Sequence, residues 1–155
     1  MEKKYKLTDE YIKFNKRTLY RIEALKGFRD VEKGDKGGFI EDEHNLSHYG
    51  DSWVCDNARV FGNASVFGDA RVYGDARVFG DAKIENNSDY IVFKNWWSSG
   101  RYFTWTRSNN MWSIGFFYGT GEELIKKACK DSELSGREYE RIVKYVEEIL
   151  KEYGK

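Results

Sequence analysis

The sequence contains no proline and only two cysteines among its 155 residues. Without proline, every turn depends on glycine, asparagine, aspartate and serine. Two thiols, Cys55 and Cys129, are too few for a disulfide framework, and their spacing matches no zinc site. No apolar run approaches the ~20 residues of a membrane-spanning helix, and the first residues lack the apolar stretch of a signal peptide. These absences predict a soluble chain in a reducing compartment, with no membrane contact.

The chain also lacks an excess of either charge. Lysine plus arginine and aspartate plus glutamate both number 26. A protein that holds nucleic acid nonspecifically needs a strongly basic surface, and a protein that mimics DNA needs an acidic one. The balance therefore disfavours nonspecific DNA binding, although a few focused arginines can still bind a small anion.

A six-residue repeat extends from Val54 to Ile84. Most hexads combine an aliphatic residue, a Gly-Asp or Gly-Asn pair, an alanine and a polar residue, as in Val66-Phe-Gly-Asp-Ala-Arg. The β-branched aliphatic residue and the small alanine suit an interior, while the glycine pair turns the chain. We expect residues eighteen apart to stack at the ~4.8 Å spacing of paired strands. The polar sixth residues are expected to face solvent: Arg59, Ser65, Arg71, Arg77 and Lys83.

The hexad spacing resembles the left-handed parallel β-helix of the hexapeptide-repeat family. The predicted fold class is mainly β with a C-terminal α+β part. It comprises a short left-handed parallel β-helix of about three coils, an N-terminal β cap, and a small domain of one sheet and two helices.

Three longer sequence segments show a closer resemblance to a known group of proteins. They are Leu19-Tyr-Arg-Ile-Glu-Ala-Leu-Lys, Lys33-Gly-Asp-Lys-Gly-Gly-Phe-Ile-Glu and Asn45-Leu-Ser-His-Tyr-Gly-Asp-Ser-Trp-Val. Together with the repeat they look like small hexapeptide-repeat proteins encoded by bacteriophages and prophages, over roughly residues 19–84. The resemblance implies a phage context and the cytoplasm of a bacterial host cell. The resemblance assigns no catalytic residue in this chain.

Composition divides the chain into three segments. Residues 1–37 are expected to form a β-hairpin cap that turns at Asn15-Lys-Arg, and residues 38–89 form the repeat region. Residues 90–155 are expected to form an α+β domain of three strands and two helices. Thr120-Gly-Glu-Glu and Ser135-Gly-Arg-Glu have the form of capping boxes and predict where the two helices begin.

Aromatic residues follow the aliphatic position of the repeat, where the related enzymes usually carry small ones. They are Phe61, Phe67, Tyr73 and Phe79. A column of exposed rings normally marks an interface. We therefore predict an oligomer interface here, in a homodimer or homotrimer. The alternatives are that the terminal segments of the same chain cover these rings, or that the rings bind a ligand directly.

A second group of aromatic residues lies among arginine and asparagine in the C-terminal segment. We predict a binding surface there, made of Trp96, Trp97, Arg101, Trp105, Arg107, Asn109 and Trp112. Such a platform suits the stacking of a base or the anchoring of a partner protein. The alternative is that the tryptophans fill the core of this small domain.

Signals for catalysis are weak. The hexapeptide acyltransferases that the repeat resembles use a histidine and hold coenzyme A, whereas this chain has only His44 and His48, both ahead of the perfect hexads. The aspartates of the repeat fit turn chemistry better than metal binding, and Gly115 to Gly121 lacks the lysine of a phosphate loop. We predict no catalytic residue, no metal and no cofactor.

Two functions follow from the sequence. The first is a non-enzymatic phage protein that inhibits or sequesters a host factor, such as a component of anti-phage defence. Its target is a host protein or a small nucleotide signal, and the sequence does not choose between them. The alternative is a hexapeptide-type acyltransferase, or a degenerate relative, that uses acyl-coenzyme A.

Overall fold

The computed structural model describes residues 2–154. Met1 of the predicted segment 1–37 and Lys155 of the predicted segment 90–155 lie outside the described residues. The first three strands are β1 (Tyr5–Phe14), β2 (Arg17–Ala24) and β3 (Lys36–Ile40). Six two-residue strands follow: β4 (Trp53–Val54), β5 (Arg59–Val60), β6 (Ser65–Val66), β7 (Arg71–Val72), β8 (Arg77–Val78) and β9 (Lys83–Ile84). The last elements are β10 (Tyr90–Lys94), β11 (Tyr102–Thr106), β12 (Met111–Ile114), β13 (Phe117–Gly119), α1 (Gly121–Asp131) and α2 (Glu133–Tyr153).

The N-terminal hairpin forms where the sequence predicts it. Strands β1 and β2 pair antiparallel, and the pair closest to the turn joins Phe14 to Arg17. The two turn residues, Asn15 and Lys16, both have positive φ, which matches the right-handed twist of the flanking strands. The hairpin is confirmed, although its strands are longer than the sequence indicates.

The hexads pair at an offset of eighteen residues. Parallel ladders join β4 to β7, β5 to β8 and β6 to β9, with Val54 opposite Val72, Val60 opposite Val78, and Val66 opposite Ile84. The predicted offset is confirmed. All of these aliphatic side chains, and the alanines of the repeat, are fully buried in one core. Each hexad therefore stabilises the chain only by stacking on a neighbour.

The predicted fold class, a left-handed parallel β-helix, is wrong for the part of the chain that the structure describes. Its strands form four short sheets, and none of these is a solenoid or a parallel β-helix. The largest sheet, in the order β1-β2-β3-β5-β8, mixes antiparallel and parallel pairs. The physical reason is strand length: a hexad leaves only two extended residues between turns, whereas the hairpin supplies ten and eight. The hairpin strands are thus continuous with the repeat and dominate the sheet that they share.

The C-terminal sheet has four antiparallel strands, in the order β10-β11-β12-β13, and not the three predicted. The residues from Met111 to Tyr118 read as one apolar run in the sequence. Gly115, with φ +57°, breaks that run, and the chain turns back into β13. The turn matters for the site below because Gly115 lies against two arginines.

The two C-terminal helices pack on this sheet through Leu124, Ala128, Val143 and Val146. The capping box at Thr120 and Glu123 is confirmed, since each side chain accepts from the other residue's backbone N–H. The box predicted at Ser135 is wrong. Helix α2 begins three residues earlier, where Ser132 accepts from the backbone of Ser135.

Side chains of the C-terminal segment cover the last pairs of the repeat. The backbone N–H of Arg77 donates to Thr104 Oγ1 at 2.9 Å, and that of Lys83 donates to Ser108 Oγ at 2.8 Å. Strands at the end of a stack expose unpaired backbone groups, and these acceptors satisfy them. The bond to Thr104 also holds β11, and with it Arg101 and Tyr102, next to the arginines of the repeat.

Within residues 2–154, the structure contains no helix with both the length and the apolar character required to cross a membrane.

Candidate functional site: an arginine groove

The aromatic column of the repeat is divided between interior and surface. Phe61 is buried and stacks on Phe79 at 4.5 Å, while Phe14 of the hairpin packs against it at 5.3 Å. The hairpin thus covers this part of the column, which is the alternative left open above. Phe67 is half-buried and Tyr73 is 49% exposed. A role of these four residues between subunits stays a prediction, and the buried ring of Phe61 presents no surface for it.

The predicted tryptophan surface is divided as well. Trp105 and Trp112 lie in the core of the C-terminal sheet, so neither ring faces a partner. Trp97 is half-buried and donates from Nε1 to Ser135 Oγ at 3.0 Å. Only Trp96, 68% exposed, presents a ring to solvent. Trp105 and Trp112 are therefore core residues and not binding residues.

The polar members of the predicted surface lie in three different places. Arg107 donates to the carbonyl of Gly154 at 2.7 Å. The amide of Asn109 donates to Asp81 and to the hydroxyl of Tyr118. Arg101 lies in a groove at the junction between the repeat and the C-terminal sheet. Among the polar residues of the predicted binding surface, Arg101 shares its groove with other charged side chains.

Three arginines line that groove, which we call the arginine groove. Its lining residues are Asn57, Arg59, Asp75, Arg77, Ser99, Arg101 and Tyr102, and its volume is about 380 Å³. Arg59 and Arg77 are opposite each other in the parallel pair of β5 and β8, and Arg101 comes immediately before β11. Two separate parts of the chain therefore supply its charge.

Gly115 brings the guanidinium groups of Arg77 and Arg101 to one place. Arg77 Nη1 donates to the Gly115 carbonyl at 3.3 Å. A Cβ at position 115 would lie 2.5 Å from Arg101 Nη1, closer than side chains approach one another. The missing side chain thus leaves the space in which Arg101 lies beside Arg77.

Phe14 supports the other side of the arginine pair. The guanidinium carbons of Arg59 and Arg77 lie 5.8 and 5.0 Å from the centre of its ring. Cation–π contact orients such groups without neutralising their charge. Phe116 stacks on the opposite part of Phe14 at 5.5 Å and is itself exposed.

These arginines differ from most others in the chain by having no carboxylate partner. Of ten arginines, six form salt bridges within residues 2–154: Arg17, Arg21, Arg29, Arg71, Arg137 and Arg141. The other four are Arg59, Arg77, Arg101 and Arg107, and the first three line this groove. Burial lowers the pKa of Arg77 below its ordinary value, and the charges of Arg59 and Arg101 lower it further. The groove therefore concentrates three positive charges, none of which forms a salt bridge with a described carboxylate.

A second groove adjoins the first. It is lined by Tyr73, Gly74, Asp75, Asn87, Tyr90, Ile91, Val92 and Tyr102, and its volume is about 480 Å³. Asp75 and Tyr102 belong to both linings. We call it the tyrosine groove. The charged arginine groove and the more apolar tyrosine groove are therefore continuous at Asp75 and Tyr102.

The two histidines lie away from both grooves and are fully hydrogen-bonded. His48 donates from Nε2 to Glu43 at 2.7 Å, and its Nδ1 accepts from the backbone of Lys4. His44 faces two acceptors, the carbonyl of Gly62 and the carboxylate of Asp42. The carbonyl contact first, and then Asp42, raises the pKa of His44 above its ordinary value. Both rings are therefore held by hydrogen bonds within the chain.

Sequence reasoning missed Arg59 and Arg77 because it assigned both to solvent. The eighteen-residue offset, applied to the polar position of the repeat, places one beside the other and was the available signal. The contribution of Arg101 had no such signal, since it depends on how β11 docks. Comparison with protein-family models and with curated protein sequences finds no match.

Proposed function

We propose that this chain is a non-enzymatic binding protein of a phage or prophage, and that it sequesters a phosphate-bearing small molecule of the bacterial host. The observation that carries the proposal is the arginine groove. Three guanidinium groups share one concave surface, and none has a carboxylate oxygen within 4.0 Å among the described residues.

Phosphate is the ligand that best fits this groove. The planar guanidinium group presents several N–H donors in a fixed fork, which matches the oxygens of a phosphate. Like charges held together in a half-buried place repel one another unless an anion lies between them. A phosphate group supplies both the acceptors and the opposite charge. A carboxylate ligand has less charge and fewer oxygens for three donors.

The lining supports binding rather than catalysis. Asp75 is the one carboxylate that lines the arginine groove, and no histidine or cysteine lines it. Chemistry at a bound phosphate needs a positioned base or nucleophile in contact with it. The acyltransferases that the repeat resembles use a histidine, and neither histidine of this chain lines the arginine groove or the tyrosine groove.

Isothermal titration with tripolyphosphate tests the proposal, with three variants. Arg59→Gln and Arg101→Gln each remove one positive charge from the groove. Because a charge-assisted hydrogen bond contributes roughly 1.5–3 kcal/mol, each should weaken binding by about 10- to 100-fold. Arg107→Gln is the matched control, since Arg107 also forms no salt bridge within residues 2–154 but lies outside the groove. Its dissociation constant should stay within about 2-fold of the wild type.

Thermal melting completes the test. Without an anion, Arg59→Gln should melt no lower than the wild type, because the substitution removes a like charge from the cluster. At the same concentration of tripolyphosphate, the wild type and Arg107→Gln should be stabilised by mass action more than Arg59→Gln and Arg101→Gln. Absence of saturable binding at physiological salt, or equal losses in Arg101→Gln and Arg107→Gln, would exclude the groove as the site.

A further inference from the structure

We infer that the ligand is a nucleotide, with its phosphates in the arginine groove and its base in the adjoining tyrosine groove. This inference rests on the proposed function and adds the chemical class of the ligand. The evidence is the composition of the second groove and its continuity with the first.

The tyrosine groove offers flat apolar surface. Tyr73 and Tyr102 are 49% and 44% exposed, so each ring keeps a solvent-accessible side. Ile91 and Val92 of β10 add to the apolar lining. A base stacks on exposed aromatic rings because every base has an extended π surface. The volume of about 480 Å³ is within the range of small-molecule sites.

The third ring of this groove is held in place by backbone bonds. The hydroxyl of Tyr90 donates to the carbonyl of Arg71 at 2.7 Å and accepts from the backbone N–H of Tyr73 at 3.1 Å. Its polar end is therefore fully used within the chain. Only the apolar body of the ring lines the groove, and it also fixes the backbone from which Tyr73 projects.

Asp75 lies where the two grooves meet. Its charge raises the pKa of Arg77, but no salt bridge joins it to the arginines among the described residues. A carboxylate between a phosphate site and a base site is placed to accept hydrogen bonds from ribose hydroxyls. The asparagine amides of the two linings, at Asn57 and Asn87, add donors that read polar edges.

Charge complementarity excludes the simpler occupants. A purely apolar ligand leaves the arginines without a counter-charge, and an inorganic polyphosphate leaves the tyrosines exposed to water. A nucleotide satisfies both grooves at once, with its ribose next to Asp75. Tyr102, which lines both grooves, then lies beside the bond between sugar and phosphate.

Titration with ATP and with tripolyphosphate separates the two halves of the site. Tripolyphosphate is the more highly charged of the two, so charge alone favours it. Stacking of the base should nevertheless make ATP bind at least about 10-fold more tightly to the wild type. Tyr102→Leu should remove most of that preference for ATP over tripolyphosphate, whereas Tyr102→Phe should keep it.

Each outcome bears on a different claim. If tripolyphosphate and ATP bind equally well, the arginine groove stands as a phosphate site and the inference about the base is overturned. If neither ligand binds, the proposed function fails and the inference fails with it. Tyr73→Leu supplies an independent check by sedimentation. If it changes the oligomeric state but not the dissociation constant for ATP, the tyrosine groove is a contact between copies, and the inference is again overturned.

Discussion

Two glycines of the repeat offer a comparison that isolates the contact between the repeat and the C-terminal sheet. Gly74 and Gly80 occupy equivalent positions in successive hexads and have φ of +65° and +71°. A Cβ at Gly74 meets no atom within 4 Å, whereas a Cβ at Gly80 overlaps the hydroxyl of Tyr118. Alanine at either position therefore carries the same backbone cost, and only at Gly80 does it also collide with β13.

The magnitudes follow from those contacts. An alanine in the left-handed region costs about 1–2 kcal/mol, and this is the whole loss expected for Gly74→Ala. At Gly80, displacement of Tyr118 also breaks the hydrogen bond from Asn109, which is 3.1 Å long and contributes about 1 kcal/mol. The edge contact between Tyr118 and Phe79, at 4.8 Å between ring centres, weakens as well, by about 0.5–1.5 kcal/mol. Gly80→Ala should thus lower the free energy of unfolding by about 2.5–4.5 kcal/mol.

Urea unfolding followed by tryptophan fluorescence measures both variants against the wild type. The double variant Gly80→Ala with Tyr118→Leu should be less destabilised than the sum of its parts, since the smaller side chain makes room for the new methyl group. Equal losses for Gly74→Ala and Gly80→Ala would refute the reasoning, because they would mean that Tyr118 does not pack on the repeat. The arginine groove, which needs the same docking, would then lose its geometry.

Three further predictions use the same unfolding assay. Trp105→Ala should lower the free energy of unfolding by about 3–5 kcal/mol, because the ring of Trp105 lies in the core. Trp96→Ala should lower it by no more than about 0.5 kcal/mol, because the ring of Trp96 is exposed. Equal losses would mean that Trp105 is not a core residue. Thr104→Val should cost about 1–3 kcal/mol by leaving the backbone N–H of Arg77 without an acceptor, whereas Thr104→Ser should keep the bond. Burial lowers the pKa of Lys4 from 10.5 to about 8, so the unfolded state binds more protons than the folded state between these values. The contribution of Lys4 to stability should rise with pH across this window, by at most about 3 kcal/mol, and Lys4→Met should abolish the rise relative to the wild type.

Local features of the fold were predictable because short-range chemistry determines them. The hexad spacing places Val54 opposite Val72, and the Thr120 box begins α1. The turn at Asn15 closes the hairpin. In each case the residues that make the contact are close in sequence or separated by a fixed period. Patterns of this kind depend little on the rest of the molecule.

The features that were missed depend on contacts between segments. The fold class was wrong because the hairpin and β3 join one parallel pair of the repeat, β5 and β8, in a mixed sheet, while the other two pairs stay separate, which the hexads alone do not indicate. Arg71 occupies the same position in the repeat as Arg59, yet its side chain is buried and pairs with Asp30 at 2.9 Å. The N-terminal segment that supplies this carboxylate has no periodic relation to the repeat. Arg71 is therefore buried because the N-terminal segment covers it, and the pattern of the repeat does not indicate this.

The arginine groove is the strongest case of this dependence, and stability alone does not account for it. Six arginines of this chain have found carboxylate partners, so the fold has the means to neutralise such side chains. Arg77 is instead held beside Arg59 and Arg101, where burial, and then the neighbouring like charges, lower its pKa, so that the folded state holds its proton less firmly. Each of these contacts opposes folding, and replacement by a neutral residue would remove the repulsion. No described carboxylate forms a salt bridge with this cluster. We propose that a ligand brings the missing negative charge, since its binding to the folded state would return the stability that the repulsion removes.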